Sequence, residues 1–202
     1  MALACLVSDC LNSYEKYREI NIMMRLGPTL TGDKPMHIFC FNKNFKFIDS
    51  ILDDIDNIFS KSKNIKYNIV ESNNNSIKII FYNTIAMDRL LNDQRNLKFL
   101  DTYGFERNMT SHDYMMSLAN CLKENKLPSE YGIFFGYPLK DVIGFMGHPS
   151  LKHVKTKAWK VYGDPTLSDI IFEKFKQAEN RVLNLCQTLS LKTVVRYLDT
   201  VY

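Results

Sequence analysis

Residues 27–35, Gly27-Pro28-Thr29-Leu30-Thr31-Gly32-Asp33-Lys34-Pro35, set a lysine just past two spaced glycines, the raw material of an anion-holding loop. A phosphate-binding P-loop needs its lysine directly after the second glycine, then Ser or Thr for magnesium, at a helix start. Here Asp33 intervenes, Pro35 follows, and the next element reads as a strand. The spacing predicts a turn-rich loop that joins a helix to a strand. A weaker chemistry survives, because exposed amides together with Lys34 can hold some anion.

Gly136-Tyr137-Pro138 is the second candidate. It lies between an apolar run, Tyr131–Phe135, that reads as a strand, and a helix that Pro138 opens at position N1. In open α/β sheets ligands gather outside such strand ends, and a helix N-terminus favours anions. Tyr137 and Asp141 supply acid–base side chains there. The plainer reading is a tight turn whose glycine adopts unusual dihedrals and whose tyrosine packs. Gly144, inside that helix, costs about 1 kcal/mol against Ala, which argues for a close backbone approach.

The third candidate is Trp159-Lys160-Val161-Tyr162. As a strand it turns Trp159 and Val161 to one side and Lys160 and Tyr162 to the other. Lys152, Lys155 and Lys157 make the preceding loop basic, so the tryptophan could stack on a base beside bound phosphate. A solvated lysine loop is the commoner outcome, and a net charge of only +4 disfavours nucleic acid.

Other chemistries find no purchase. The histidines, His37, His112, His148 and His153, show no metal-ligand spacing. The five cysteines, Cys5, Cys10, Cys40, Cys121 and Cys186, are scattered and form no C-x-x-C pair. That usage fits a reducing cytosol. Nucleophile-elbow, dinucleotide-binding and H-E-x-x-H motifs are absent. No cofactor and no metal are therefore expected.

The elements that must position these groups follow from periodicity. Leu11, Tyr14, Tyr17, Ile20 and Met24 recur at helical spacing after Ser8 or Asp9. A strand is expected over Met36–Phe41, then a helix marked by Ile48, Ile51, Leu52, Ile55 and Phe59 whose last turn carries Lys61 and Lys63. Lys66–Glu71 and Ile77–Tyr82 read as an antiparallel hairpin across an Asn-rich turn. Helices are expected over Ile85–Leu91 and Gln94–Tyr103, the latter closing on Gly104. Thr110 with Asp113 forms a capping box ahead of Tyr114, Met115, Leu118, Ala119 and Leu122. Asp164 as N-cap and Pro165 at N1 open the longest helix, with Leu167, Ile170, Ile171, Phe175, Ala178, Val182 and Leu185 on one face. Ser190 starts a last helix with Leu191, Val194, Val195 and Leu198.

Length and composition agree with that sketch. The chain has 202 residues, 46% hydrophobic and 24% charged, which excludes disorder and fibre. The longest apolar stretch, Tyr131–Leu139, is far short of the ~20 residues of a membrane span. Met1–Val7 is apolar but lacks a basic flank and ends at Ser8-Asp9, so no signal peptide is expected. The expectation is one α+β (mixed α/β) domain over residues 1–202, with about five short strands in a small mixed sheet and about seven helices.

The run Leu127-Pro128-Ser129-Glu130-Tyr131-Gly132-Ile133-Phe134-Phe135-Gly136-Tyr137-Pro138-Leu139-Lys140-Asp141-Val142-Ile143-Gly144-Phe145 resembles the domain of unknown function numbered 3793, a family found mainly in clostridia and related anaerobes. Pro28-Thr29-Leu30 with Gly32 and Lys34-Pro35, the Tyr103-Gly104 segment, and Trp159-Lys160-Val161-Tyr162 match in order. The resemblance implies a cytoplasmic bacterial protein and no established activity. It makes segments 24–42, 127–147 and 158–163 candidates for one shared site. Family members carry His-Cys-Ala ahead of Pro-Thr-Leu and His at the position of Ser129. This chain has Leu26-Gly27 and Ser129, so chemistry based on those side chains is not expected of it.

The leading expectation is a soluble, non-enzymatic module that binds a small anion or serves as an accessory protein. Its candidate surface comprises Thr29, Lys34, Gly136, Tyr137, Asp141 and Tyr162. The alternative is an enzyme acting on a small anionic substrate, with Tyr137 or Asp141 as acid–base group. The expected partners are a small anionic ligand or a protein, not nucleic acid and not a membrane. If no metal or disulfide supports the fold, thermal melts with and without chelator or reductant should coincide. A drop of many degrees in either would expose a missed ligand set.

Overall fold

Ile77, Ile79 and Phe81 alternate with Ile80 and Tyr82 in a run that is apolar toward both sides. A strand of that kind must be covered on both faces. In the computed structural model, which describes residue 22 and residues 24–201, this run is strand β3 (Ser76–Asn83). It lies between β1 (Met36–Asn42) and β2 (Ile65–Ser72), antiparallel to each. Met36 pairs with Tyr82, and Ile65 with Asn83.

One face of β3, with Ile77, Ile79 and Phe81, packs on α1 (24–30), α2 (Ile48–Phe59), α7 (Thr166–Cys186) and α8 (Leu191–Val201). The other, with Ile80 and Tyr82, packs on α3 (Thr84–Asn92), α4 (Gln94–Thr102), α5 (Ser111–Lys123), a 3-10 helix (Ser129–Ile133) and α6 (Leu139–Phe145). A separate two-stranded sheet, β4 (His153–Thr156) and β5 (Lys160–Tyr162), brings Trp159 and Val161 onto Phe175 of α7. The architecture is α+β.

Several local expectations hold for stated reasons. The hairpin β2–β3 is antiparallel, and Thr110 and Asp113 cap α5 reciprocally. Gly104, at φ 83°, closes α4: its N–H donates to Asp101 and that of Phe105 to Leu100. The Asp164 carboxylate accepts the Thr166 N–H at 3.0 Å ahead of α7, but Pro165 is the N-cap of that helix rather than its N1 residue. The helix expected after Ser8 or Asp9 lies outside the described residues.

Other expectations are corrected. Residues 27–30 belong to α1 rather than to a loop. Gly27 permits this by letting α1 cross α7 closely, since a Cβ there would lie 3.1 Å from the Ala178 carbonyl oxygen. Lys61 and Lys63 lie beyond α2, which ends at Phe59. The chain leaves the helix because Asp199 of α8 accepts from the Ser62 hydroxyl and from the amides of Lys63 and Asn64. Part of the basic loop is strand β4, and Lys155 and Lys157 reach across to Asp169 of α7. On α7, Leu167 and Ile170 are exposed, because Ser168 is the residue its first turns bury.

The largest correction concerns Tyr131–Phe135, which is not a strand. An apolar run this short does not distinguish strand from helix by periodicity. In the 3-10 turn, residues three apart eclipse, so Tyr131 and Phe134 share a buried face with ring centroids 5.5 Å apart. The Phe134 carbonyl then accepts the Met36 N–H at 2.9 Å, tying the turn to the first residue of β1. Pro138 accordingly precedes α6 as its N-cap instead of occupying N1.

This geometry separates two neighbours that a strand would also separate, but with a definite assignment: Phe134 is fully buried and Phe135 only partly. Phe134→Ala should cost about 3–5 kcal/mol, as for a phenylalanine cut from a closed core. Phe135→Ala should cost clearly less. Urea unfolding of the two variants checks the order, and the reverse order would contradict the turn.

Candidate functional site

Asp141 stands in the first turn of α6 with its side chain 1% exposed. A buried carboxylate is tolerated only when its lone pairs are engaged. Its Oδ1 accepts from the Lys140 ammonium at 2.6 Å and the Tyr162 N–H at 2.8 Å. Its Oδ2 accepts from the Trp159 indole at 2.8 Å and the Ser168 hydroxyl at 2.7 Å. Lys140 is equally occupied, since it also donates to the Tyr162 carbonyl at 2.7 Å and to the Ser168 oxygen at 2.8 Å. Burial would raise the Asp141 pKa, but these donors outweigh it and hold the carboxyl below its ordinary value. The pair joins α6, β5 and α7 into one unit.

Gly144 completes the join. A Cβ at that position would lie 2.4 Å from Cγ of Tyr162, so the tyrosine ring rests directly on the helix backbone. That is the close approach expected of this glycine.

Next to the ion pair runs an aromatic stack. Tyr137 lies nearly parallel to Trp159, with centroids 4.8 Å apart, and to Phe135 at 5.7 Å. Burial pushes the Tyr137 phenol above its ordinary pKa. Phe135, Tyr137 and Trp159 line a cavity of about 380 Å³ together with Leu127 and Phe145. Its lining is mainly apolar. Asp141 and Lys160 are the charged residues among it, and Asp141 is already paired. The Lys160 ammonium sits 5.5 Å from the Phe145 ring centroid and has no carboxylate partner among the described residues.

Lys34 occupies the far side of Phe135. Its residue is 9% exposed, and its ammonium lies 3.1 Å from Nδ1 of His37 and 5.5 Å from the Phe135 centroid. Desolvation lowers its pKa to about 8, against an opposing pull from Glu179. Burial, then the charges of Lys34 and Arg25, depress His37 to about 3, so the ring is neutral.

The six sequence-predicted residues thus divide. Lys34 and Gly136 are adjacent: Gly136, at φ 75°, would place a Cβ 3.6 Å from Cγ of Lys34 and 2.9 Å from Cζ of Phe175. Tyr137 borders the cavity, while Asp141 and Tyr162 belong to the ion-pair network. Thr29 is fully buried in α1, its hydroxyl without a hydrogen-bond partner and its carbonyl accepting from Asn83. Sequence reasoning missed Lys140, Ser168, His37 and Glu179. Lys140 carried one usable signal, a lysine next to an aspartate in the first turn of an otherwise apolar helix. Ser168 carried none.

Among the described residues no cluster of three His, Cys, Asp or Glu side chains could hold a metal ion. No helix among them is long and apolar enough to cross a membrane.

Asp141→Asn should cost about 1–3 kcal/mol at neutral pH, because it leaves the half-buried Lys140 ammonium without its counter-charge and removes acceptor capacity from the buried Trp159, Ser168 and Tyr162 donors. The stabilisation due to the ionised carboxylate is fully present above the unfolded value near 3.9 and is lost as pH falls through the lower folded value. Urea midpoints of the two proteins should therefore converge below about pH 4. A gap unchanged down to pH 2 would refute the charge assignment.

No curated protein and no solved structure matches the chain. A family model described as protein of unknown function (DUF3793) matches residues 22–195. That span includes the cavity, the ion-pair network and Lys34, and the chain belongs to the DUF3793 family.

Proposed function

We propose that this protein is a non-enzymatic binding module for a small, flat, apolar molecule carrying an anionic group, seated in the cavity beside Trp159. One observation carries the reading: the cavity presents aromatic walls and a single cation, Lys160, that no carboxylate among the described residues neutralises. Its volume of about 380 Å³ falls in the range of small-molecule pockets. The Asp141 network fixes the Trp159 wall in place, and preorganised walls reduce the cost of binding.

The enzymatic alternative has less support. Every oxygen lone pair of Asp141 is committed to a donor, and the Tyr137 phenol is shifted away from neutral pH. Neither suits general acid–base work. The thiols of Cys40 and Cys121, unbridged, support placement in a reducing cytoplasm, and the family resemblance supports a bacterial, clostridial-type source.

Trp159 is the chain's one tryptophan, so its emission reports the cavity directly. Naphthalene-2-sulfonate should change that emission saturably. Lys160→Ala should weaken the binding roughly two- to fivefold, the range of an exposed ion pair. The difference should shrink at high salt. Absence of saturable binding would reject the cavity as a site, and equal binding of a neutral naphthalene would reject the anionic part.

A further inference from the structure

The fold holds two lysines in sharply different settings. Lys140 meets three acceptors, one for each N–H of its ammonium. Lys34, more deeply placed along the chain side facing Phe135 and Phe175, makes one hydrogen bond, to Nδ1 of His37. No carboxylate lies within 4 Å of it among the described residues. Glu179 of α7 acts only at longer range, and its own carboxyl is pushed up by burial. A buried ammonium with two unmatched donors is a strained choice for packing alone.

Burial favours the uncharged form of the amine and outweighs the opposing pull of Glu179. The Phe135 and Phe175 rings, 5.5 and 5.9 Å away, supply low polarity. The charges of Lys34 and Arg25 help keep His37 of β1 neutral, with its Nδ1 3.1 Å from the Lys34 nitrogen. The backbone holds the stem: the Lys34 N–H donates to the Pro28 carbonyl at 2.9 Å, Pro35 follows, and Gly136 packs on Cγ. A desolvated lysine of this kind is the setting in which amines act as nucleophiles.

We propose that Lys34 is a reactive amine site that condenses with a small aldehyde or ketone. The Nζ lone pair forms the bond to the carbonyl carbon while the C=O π pair moves to oxygen. A proton passes from nitrogen to that oxygen, and loss of water leaves an imine. His37 is a positioning residue that holds one amine N–H through Nδ1. The site is separate from the Trp159 cavity and does not rest on the reading given for it.

The test uses the intact protein with glyoxylate as carbonyl and cyanoborohydride as hydride donor, which reduces the imine to a stable secondary amine. Peptide mapping then compares Lys34 with the exposed Lys98 and Lys192. An amine of pKa about 8 is half deprotonated at pH 8. An ordinary lysine at that pH is only about 0.4% deprotonated. Lys34 should be labelled at least about tenfold faster, with a rate that levels off above pH 8 while the others keep rising. His37→Gln should move that plateau without abolishing labelling. Labelling of Lys34 no faster than Lys98, or none at all in the folded protein, would overturn the proposal, whatever naphthalene-2-sulfonate does.

Discussion

A carboxylate taken out of water must have its lone pairs filled or give up its charge, and Asp141 is the point where this protein meets that demand. Its four donors come from α6 itself, from Trp159 and Tyr162 around β5, and from Ser168 on α7. None of these elements could shift without stripping a partner from a buried charge. The β4–β5 sheet is too small to be stable by itself. It is placed by the ion pair and by the bare backbone at Gly144, and the wall of the cavity is placed with it.

The two lysines show how one chain uses the same side chain for opposite ends. Lys140 sits where carbonyl, hydroxyl and carboxylate oxygens converge, so its charge is stabilised and its role is structural. Lys34 sits between rings beside a neutral imidazole, where charge is costly and the amine's reactivity is released. Burial alone does not decide which behaviour results. The count of acceptors does.

Much of the fold was legible in the sequence because the signals were local. The β2–β3 hairpin, the Thr110–Asp113 capping box and the Gly104 helix end each depend on residues a few positions apart. Trp159 and Val161 also turned inward as strand alternation requires. The misreadings arose where a distant partner decides. Tyr131–Phe135 is apolar enough for a strand, yet the packing of Tyr131 on Phe134 and the bond to Met36 select a 3-10 turn. Lys61 and Lys63 looked like the end of a helix until Asp199, far along the chain, claimed their loop. The sequence put Thr29, Lys34, Gly136, Tyr137, Asp141 and Tyr162 on one surface, whereas the structure sets Lys34 beside Gly136 and Asp141 beside Tyr162. Ser168 and His37, which set the electrostatics of each, became visible only in three dimensions.

The central strand has a consequence for how the molecule comes apart. Its two faces support separate apolar clusters, and the clusters draw on different helices. The segment from the 3-10 turn to the start of α7 leans on one of them and on its own ion pair, whereas α2 and α8 lean on the other. Opening the α2–α8 layer leaves the Asp141 contacts whole. Amide exchange with deuterium should then sort these layers into two cooperative units of different protection, with β3 amides the slowest because they belong to both.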